Sequence, residues 1–146
     1  MEVRVVAVGR VKERGLRDAI DDYLERIGHY AKVKEIELAD GSEAEVSARI
    51  TKSIPQRARV IALEVDGETI PSAGIAKWIG QAENDAVASL VFLIGGSYGL
   101  PRPVSDAAYR KLSLSALTLP HRLARLVLVE QIYRGFSILR GSPYDH

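Results

Sequence analysis

The chain has no cysteine among its 146 residues, which excludes disulfide frameworks, thiolate metal sites and cysteine nucleophiles. It also lacks any apolar run approaching the ~20 residues that span a bilayer. The opening Met1–Gly9 carries Glu2 and Arg4 and is too short for a signal-peptide core, so the expectation is a cytoplasmic protein without membrane attachment. Internal repeats, low-complexity tracts and linkers are missing, and one domain over residues 1–146 is the natural count. Charge of one sign is lacking too: 20 basic against 19 acidic side chains leave a formal net charge of +1. That total does not indicate a dedicated polyanion binder.

What is present is an ordinary soluble composition, 47% hydrophobic and 27% charged. A chain of this length buries roughly two-thirds of its unfolded surface. The charges are unevenly placed. Beyond Leu100, Arg102, Arg110, Lys111, Arg122, Arg125, Arg134 and Arg140 stand against Asp106, Glu130 and Asp145. A net-positive C-terminal segment could meet phosphates locally, although scattered arginines also pair with neighbours or stay solvated.

Apolar patterning alternates between strand and helix. Val3–Val8 is a β-branched run that reads as a buried strand, and Leu16, Ala19, Ile20, Tyr23, Leu24 and Ile27 recur at helical spacing up to Gly28. Val33–Leu38 alternates as a half-exposed strand; Asp40-Gly41-Ser42 then opens a helix that ends before Pro55. Arg59–Val65 predicts a strand stopped by the Asp66-Gly67 turn, and Ser72 a cap for a helix holding Ile75, Trp78, Ile79 and Ala82. Ser89–Ile94 is the most apolar strand and belongs mid-sheet. The expected architecture is α/β, a mainly parallel sheet with helices on both faces. The last helix begins near Pro120 and is apolar on most sides, from Leu123 to Leu139. Such a helix is buried either inside one subunit or in a subunit interface.

Two loops could carry chemistry. Ile94-Gly95-Gly96-Ser97-Tyr98-Gly99-Leu100 leaves the carboxyl end of the buried strand, where open α/β sheets place ligands. Its glycines permit close backbone approach and positive φ. It has neither the G-x-G-x-x-G nor the Gly-Lys-Ser/Thr pattern, and a plain strand-to-helix turn would look the same. Leu114-Ser115-Ala116-Leu117-Thr118-Leu119 reads as neither helix nor strand, and free amides there could grip an uncharged ring such as adenine, or merely connect two elements. His121 lies in the first turn of the final helix, where a helix N-terminus favours neutral imidazole. His29 is a solvated or capping residue. Glu130 is expected to pair with Arg134 one turn on, and Tyr144, Asp145 and His146 form a polar tail that could fold over a site.

Taken in order, Val6-Ala7-Val8-Gly9, Ile94-Gly95-Gly96 with Gly99, Leu114 through His121, Glu130-Gln131-Ile132-Tyr133-Arg134 and Pro143-Tyr144 resemble one family over the whole chain. It is the RlmH family of SPOUT-class methyltransferases, which modify N3 of a pseudouridine in 23S ribosomal RNA. The resemblance implies a C-terminal trefoil knot, a homodimer and S-adenosyl-L-methionine held in the knot. It carries cofactor contacts to Leu63, Gly95, Leu114, Ser115, Ala116, Leu117, Thr118 and Leu119, and implies no metal.

The implied reaction is attack of the pseudouridine N3 on a sulfonium methyl, with His121 and Tyr144 as candidates to take the N3 proton or steady the anionic ring. Arg134 and Arg140 would orient RNA or the tail, and one subunit's tail could complete the other's pocket. Two positions depart from the family pattern. Asp145 stands between the tail tyrosine and His146 where a histidine commonly follows directly, and Ser97 stands where proline is frequent. The competing functions are a knotted tRNA methyltransferase and a non-catalytic nucleotide-binding module of ribosome assembly.

Overall fold

A computed structural model describes Met1 to Tyr144; the tail residues Asp145 and His146 lie outside the described residues. In chain order the elements are β1 (Glu2–Val8), α1 (Arg14–Ile27), β2 (Lys32–Leu38), α2 (Glu43–Ser53) and β3 (Ala58–Thr69), followed by α3 (Ser72–Asn84), β4 (Ser89–Ile94), α4 (Arg102–Asp106), β5 (Arg110–Ser113) and α5 (His121–Leu139). The strands form one parallel sheet in the order β2-β1-β4-β3-β5.

The period-2 alternation of the central strands divides the core into two layers. Val3, Val5 and Ala7 of β1 with Leu90, Phe92 and Ile94 of β4 face α1, α3 and α5. Val6, Val8, Val91 and Leu93 face α2 and α4. Helices therefore cover both faces, as the sequence predicts, and β4 is buried along its whole length because it lies mid-sheet. The chain leaves β1 and β3 toward one face and β4 toward the other, so their carboxyl ends flank the kind of crevice where α/β folds bind ligands.

α2 begins where expected, with Ser42 and Glu45 forming a reciprocal capping box. Three expectations need correction. The Asp66-Gly67 pair does not end β3, which runs on to Thr69 after a register irregularity between Leu63 and Glu68. The reason is Gly67 itself: a Cβ there would lie 2.8 Å from the Leu112 backbone, so its absence lets β5 approach. Ser72 does not cap α3. Pro71 occupies the cap, and the Ser72 hydroxyl donates instead to Gln131 Oε1 at 2.6 Å. The third concerns β5 and α4, which the sequence reading left unassigned between the two loops.

α5 lies against α1 and α3. Leu128, Val129, Ile132 and Phe136 are fully buried within this one chain, and Leu126, Val127 and Tyr133 are half-buried. The largest fully buried side chain is Arg125, 1% exposed. It donates to Glu35 Oε2 at 3.0 Å, to Glu37, and to the Gly9 carbonyl at 3.1 Å. Arg17 joins the same carboxylates from α1, meeting Glu35 at 2.6 Å. This neutral cluster pins the start of α5 to the end of β1. Arg125 is thereby removed from the exposed basic segment to which the sequence assigns it.

Candidate active site

The glycine loop doubles back on itself at the end of β4. Gly96 and Gly99 form an antiparallel bridge, with the Gly99 N–H donating to the Gly96 carbonyl at 3.0 Å. Positive φ falls on Gly99 (φ 78°), not on Gly95 or Gly96. Gly95 is required for another reason: a Cβ there would sit 2.4 Å from the Gly99 carbonyl carbon and 2.5 Å from the Leu100 nitrogen. Gly96 is less confined, its nearest neighbour being a Val8 methyl at 3.3 Å.

The second loop follows β5. Ser113 Oγ donates to the Ser115 carbonyl at 3.1 Å, and the Leu117 N–H donates to Ser115 Oγ at 2.9 Å. From Ser115 to Leu119 no backbone group has a backbone partner among the described residues. Main-chain amides and carbonyls outside any backbone ladder, here all but the Ser115 carbonyl and Leu117 N–H that side chains engage, are ready-made ligand contacts. Between the loops lies a pocket of about 230 Å³, walled by Leu63, Gly95, Leu114, Ser115, Leu117, Leu119 and His121. Seven of the sequence-chosen residues are thus brought together. Ala116 and Thr118 are exposed and form no part of the wall.

The sequence reading missed Glu64 and Val65, which reach this wall because the irregularity in β3 turns the segment after Leu63 toward it. A larger cavity of about 390 Å³ lies across the glycine loop, rimmed by Asp40, Glu43 and Arg102. Size does not decide between the two; the free main-chain groups belong to the smaller one.

His121 opens α5, whose cap residue Pro120 leaves the first-turn amides without a side-chain partner. Its Nε2 is close to Gly9, 3.9 Å from where a Cβ would stand. Gly9 has φ 97°, a backbone conformation that other residues rarely adopt. The imidazole therefore borders both the pocket and the β1 terminus.

Tyr144 is elsewhere in the same chain. Its ring packs edge-on against Tyr133 at 4.7 Å, its hydroxyl is 3.1 Å from that of Tyr23, and Arg134 lies over its face at 4.9 Å. Tyr133 is twelve residues along α5 from His121, about 18 Å at the helical rise. The two proposed catalytic side chains are not neighbours within one chain.

Burial pushes the Tyr144 hydroxyl up to about 12, helped by Tyr23 and by the charge of Glu130. At neutral pH it is a donor, not a base. A raised folded value means that its contribution to stability is present below about pH 10 and lost as the pH climbs toward 12. Unfolding free energy should therefore decline between those values. Tyr144→Phe should flatten that decline while costing about 1 kcal/mol for the lost hydrogen bond. Chemical denaturation across alkaline pH checks it, and an equally steep decline in the variant would contradict the assignment.

Arg134 makes the expected pair with Glu130, at 2.8 Å. Arg140 is held by Glu83 of α3 at 2.7 Å. Both RNA candidates are thus engaged in intramolecular ion pairs. No group of three or more His, Asp or Glu side chains is placed to hold a metal among the described residues. No helix among them is long and apolar enough to cross a membrane.

The family described as "Predicted SPOUT methyltransferase" matches residues 1–146. "Ribosomal RNA large subunit methyltransferase H" of Sorangium cellulosum is 49% identical over 150 residues, covering 100% of both chains. The protein of the same name from Streptococcus thermophilus is 42% identical over 99% of each chain. Among solved structures, a probable methyltransferase from Bordetella pertussis shares the fold at a TM-score of 0.59, with 9% identity over 92% of this chain and 95% of that one. Matched across its full length by the family and by these relatives, the chain belongs to the SPOUT methyltransferase family, in the group of ribosomal RNA large subunit methyltransferase H.

Proposed function

We propose that the protein transfers a methyl group from S-adenosyl-L-methionine to N3 of a pseudouridine in 23S ribosomal RNA of the large subunit. The observation that carries this reading is the pocket between the Gly95 loop and Leu114–Leu119, in a chain whose full-length relatives are named for large-subunit rRNA methylation. A methyltransferase needs a methyl donor, and the residues present fit this one. The main chain from Ser115 to Leu119, which makes no backbone–backbone hydrogen bond among the described residues, suits the adenine edge, and the apolar side chains of Leu63, Leu114 and Leu119 suit its faces. Gly95 leaves the pocket floor without a side chain.

When bound, S-adenosylmethionine supplies a methyl group on a positively charged sulfonium. The chain's own contribution is positioning and proton handling. The two loops fix the donor's orientation, which can supply much of the rate enhancement without a strong side-chain catalyst. His121, on the pocket wall at the first position of α5, is placed to accept the N3 proton or hydrogen-bond the ring oxygen. Tyr144, firmly protonated, can only donate, and so serves as a stabiliser of the anionic ring.

Because Tyr144 is remote from His121 in its own chain, its participation requires the tail of a second subunit. The half-buried Leu126, Val127 and Tyr133 and the exposed Leu123 of α5 supply apolar surface for such a homodimer, and the exposed Ala116 and Thr118 and the ion-paired Arg134 and Arg140 are assigned as secondary contacts to donor or RNA. The reading includes a chain threaded as a trefoil knot through the two loops and a cytoplasmic setting, where ribosomes are found.

Titration calorimetry with S-adenosylmethionine tests the assignment. One donor bound per subunit in a sedimenting dimer is expected. A folded protein that binds no donor would return it to the class of non-catalytic assembly modules. Transfer to tRNA, but not to ribosomes, would favour a tRNA enzyme.

A further inference from the structure

Resting on that reading, we infer that the β1–α1 loop, Gly9–Gly15, is the clamp that grips ribosomal RNA phosphates beside the pocket. The pattern Gly9-Arg10-Val11-Lys12-Glu13-Arg14-Gly15 places cations on alternate residues. Val11 is 4% exposed and anchors the loop in the core. Its flanking residues Arg10 and Lys12 therefore project outward, and Arg14 follows at the first position of α1. All three are exposed, and none has a carboxylate partner among the described residues. The other cations at this end of the sheet are occupied: Arg122 by Glu13, Arg125 by Glu35 and Glu37, Arg102 by Asp106. Two carboxylates share a surface hollow with Arg10 and Lys12: Asp40, and Glu37, which is already engaged by Arg125 and Arg17.

The loop is also rigid, so little ordering is needed on binding. The Gly9 N–H donates to the Leu38 carbonyl at 2.8 Å, and the Val11 N–H to Glu37 Oε2 at 2.9 Å. Arg125 holds the Gly9 carbonyl from below. A Cβ on Gly9 would stand 3.9 Å from His121 Nε2, so the loop leaves β1 beside a residue of the pocket wall. α5 starts nearby with no acidic residue in its first turn and no side-chain cap, while the N-cap of α1 is Glu13, which pairs with Arg122. A nucleotide presented to the pocket would carry its flanking phosphates across this loop. The remote arginines 134 and 140 are spent on Glu130 and Glu83.

The test is binding of purified bacterial ribosomes by the full chain, read together with methyl transfer. Arg10→Ala/Lys12→Ala/Arg14→Ala should weaken ribosome affinity at least about tenfold and reduce the slope of log affinity against log salt by about two to three. Its S-adenosylmethionine affinity should be unchanged. The charge-retaining Arg10→Lys/Lys12→Arg/Arg14→Lys should bind within about threefold of wild type, which a merely structural role for the loop would not predict. A triple-alanine variant that binds ribosomes with unchanged affinity and salt slope overturns the inference. Wild-type protein that binds ribosomes yet transfers no methyl group would overturn the proposed activity and leave the clamp standing on the binding data.

Discussion

Gly95→Ala should lower affinity for S-adenosylmethionine by about ten- to a hundredfold, whereas Gly96→Ala should change it less than about threefold. The two glycines are adjacent and look equivalent in sequence, but their surroundings differ. A methyl on Gly95 meets backbone atoms of Gly99 and Leu100 at 2.4 and 2.5 Å, and backbone of a bridged turn cannot step aside. The loop must open, at the 1–3 kcal/mol typical of overpacking, and each 1.4 kcal/mol is a factor of ten in affinity. A methyl on Gly96 meets a Val8 methyl at 3.3 Å, which can yield by a few tenths of an ångström, and the Val8 carbonyl oxygen at an ordinary 3.5 Å. Calorimetry on the two variants, with circular dichroism to establish folding, separates them. Equal losses would mean that the pocket floor is not where the geometry puts it.

The second large effect is on stability. Arg125→Met should cost about 3 kcal/mol, at the low end for breaking a buried ion pair because Arg17 remains to share the carboxylates. Removing the excess charge as well, in Arg125→Met/Glu35→Gln, should recover about half of that, and the double-mutant cycle measures the coupling. The acid limb should change too. Burial opposes the charged form of Glu37, yet the Val11 N–H and the Arg125 guanidinium hold its carboxyl below the usual range. A depressed folded value contributes stability above the ordinary carboxylate pKa and loses it as the pH falls below about 4.5. Without Arg125 that loss should be shallower. Urea midpoints at neutral pH and through the acid range report both; a variant as stable as wild type would remove the cluster from the account.

The strands and helices with strong periodicity were legible without coordinates, since β1, β4, α1 and α5 each satisfy a simple local rule. β5 was not, because its four residues Arg110–Ser113 include two cations and gain strand character only by pairing with the late part of β3. That late part was hidden in turn by Asp66-Gly67, a turn signal locally and a close-approach site in three dimensions. The pocket residues were reached largely through the family resemblance, and the geometry separates the wall residues from Ala116 and Thr118. Ion pairs are the least legible layer. Glu83 lies 57 residues from Arg140 and Glu35 lies 90 from Arg125, so no spacing rule could show which arginines were free for phosphate. Arg10, Lys12 and Arg14, which have no carboxylate partner among the described residues, lie in the short connector between β1 and α1 and at the first position of α1.

Nucleoside mass mapping of 23S ribosomal RNA tests the central claim most directly. Ribosomes from cells lacking this protein should contain an unmethylated pseudouridine that gains one methyl group at N3 when incubated with the protein and S-adenosylmethionine. Ribosomal RNA whose nucleosides are identical with and without the protein would contradict it.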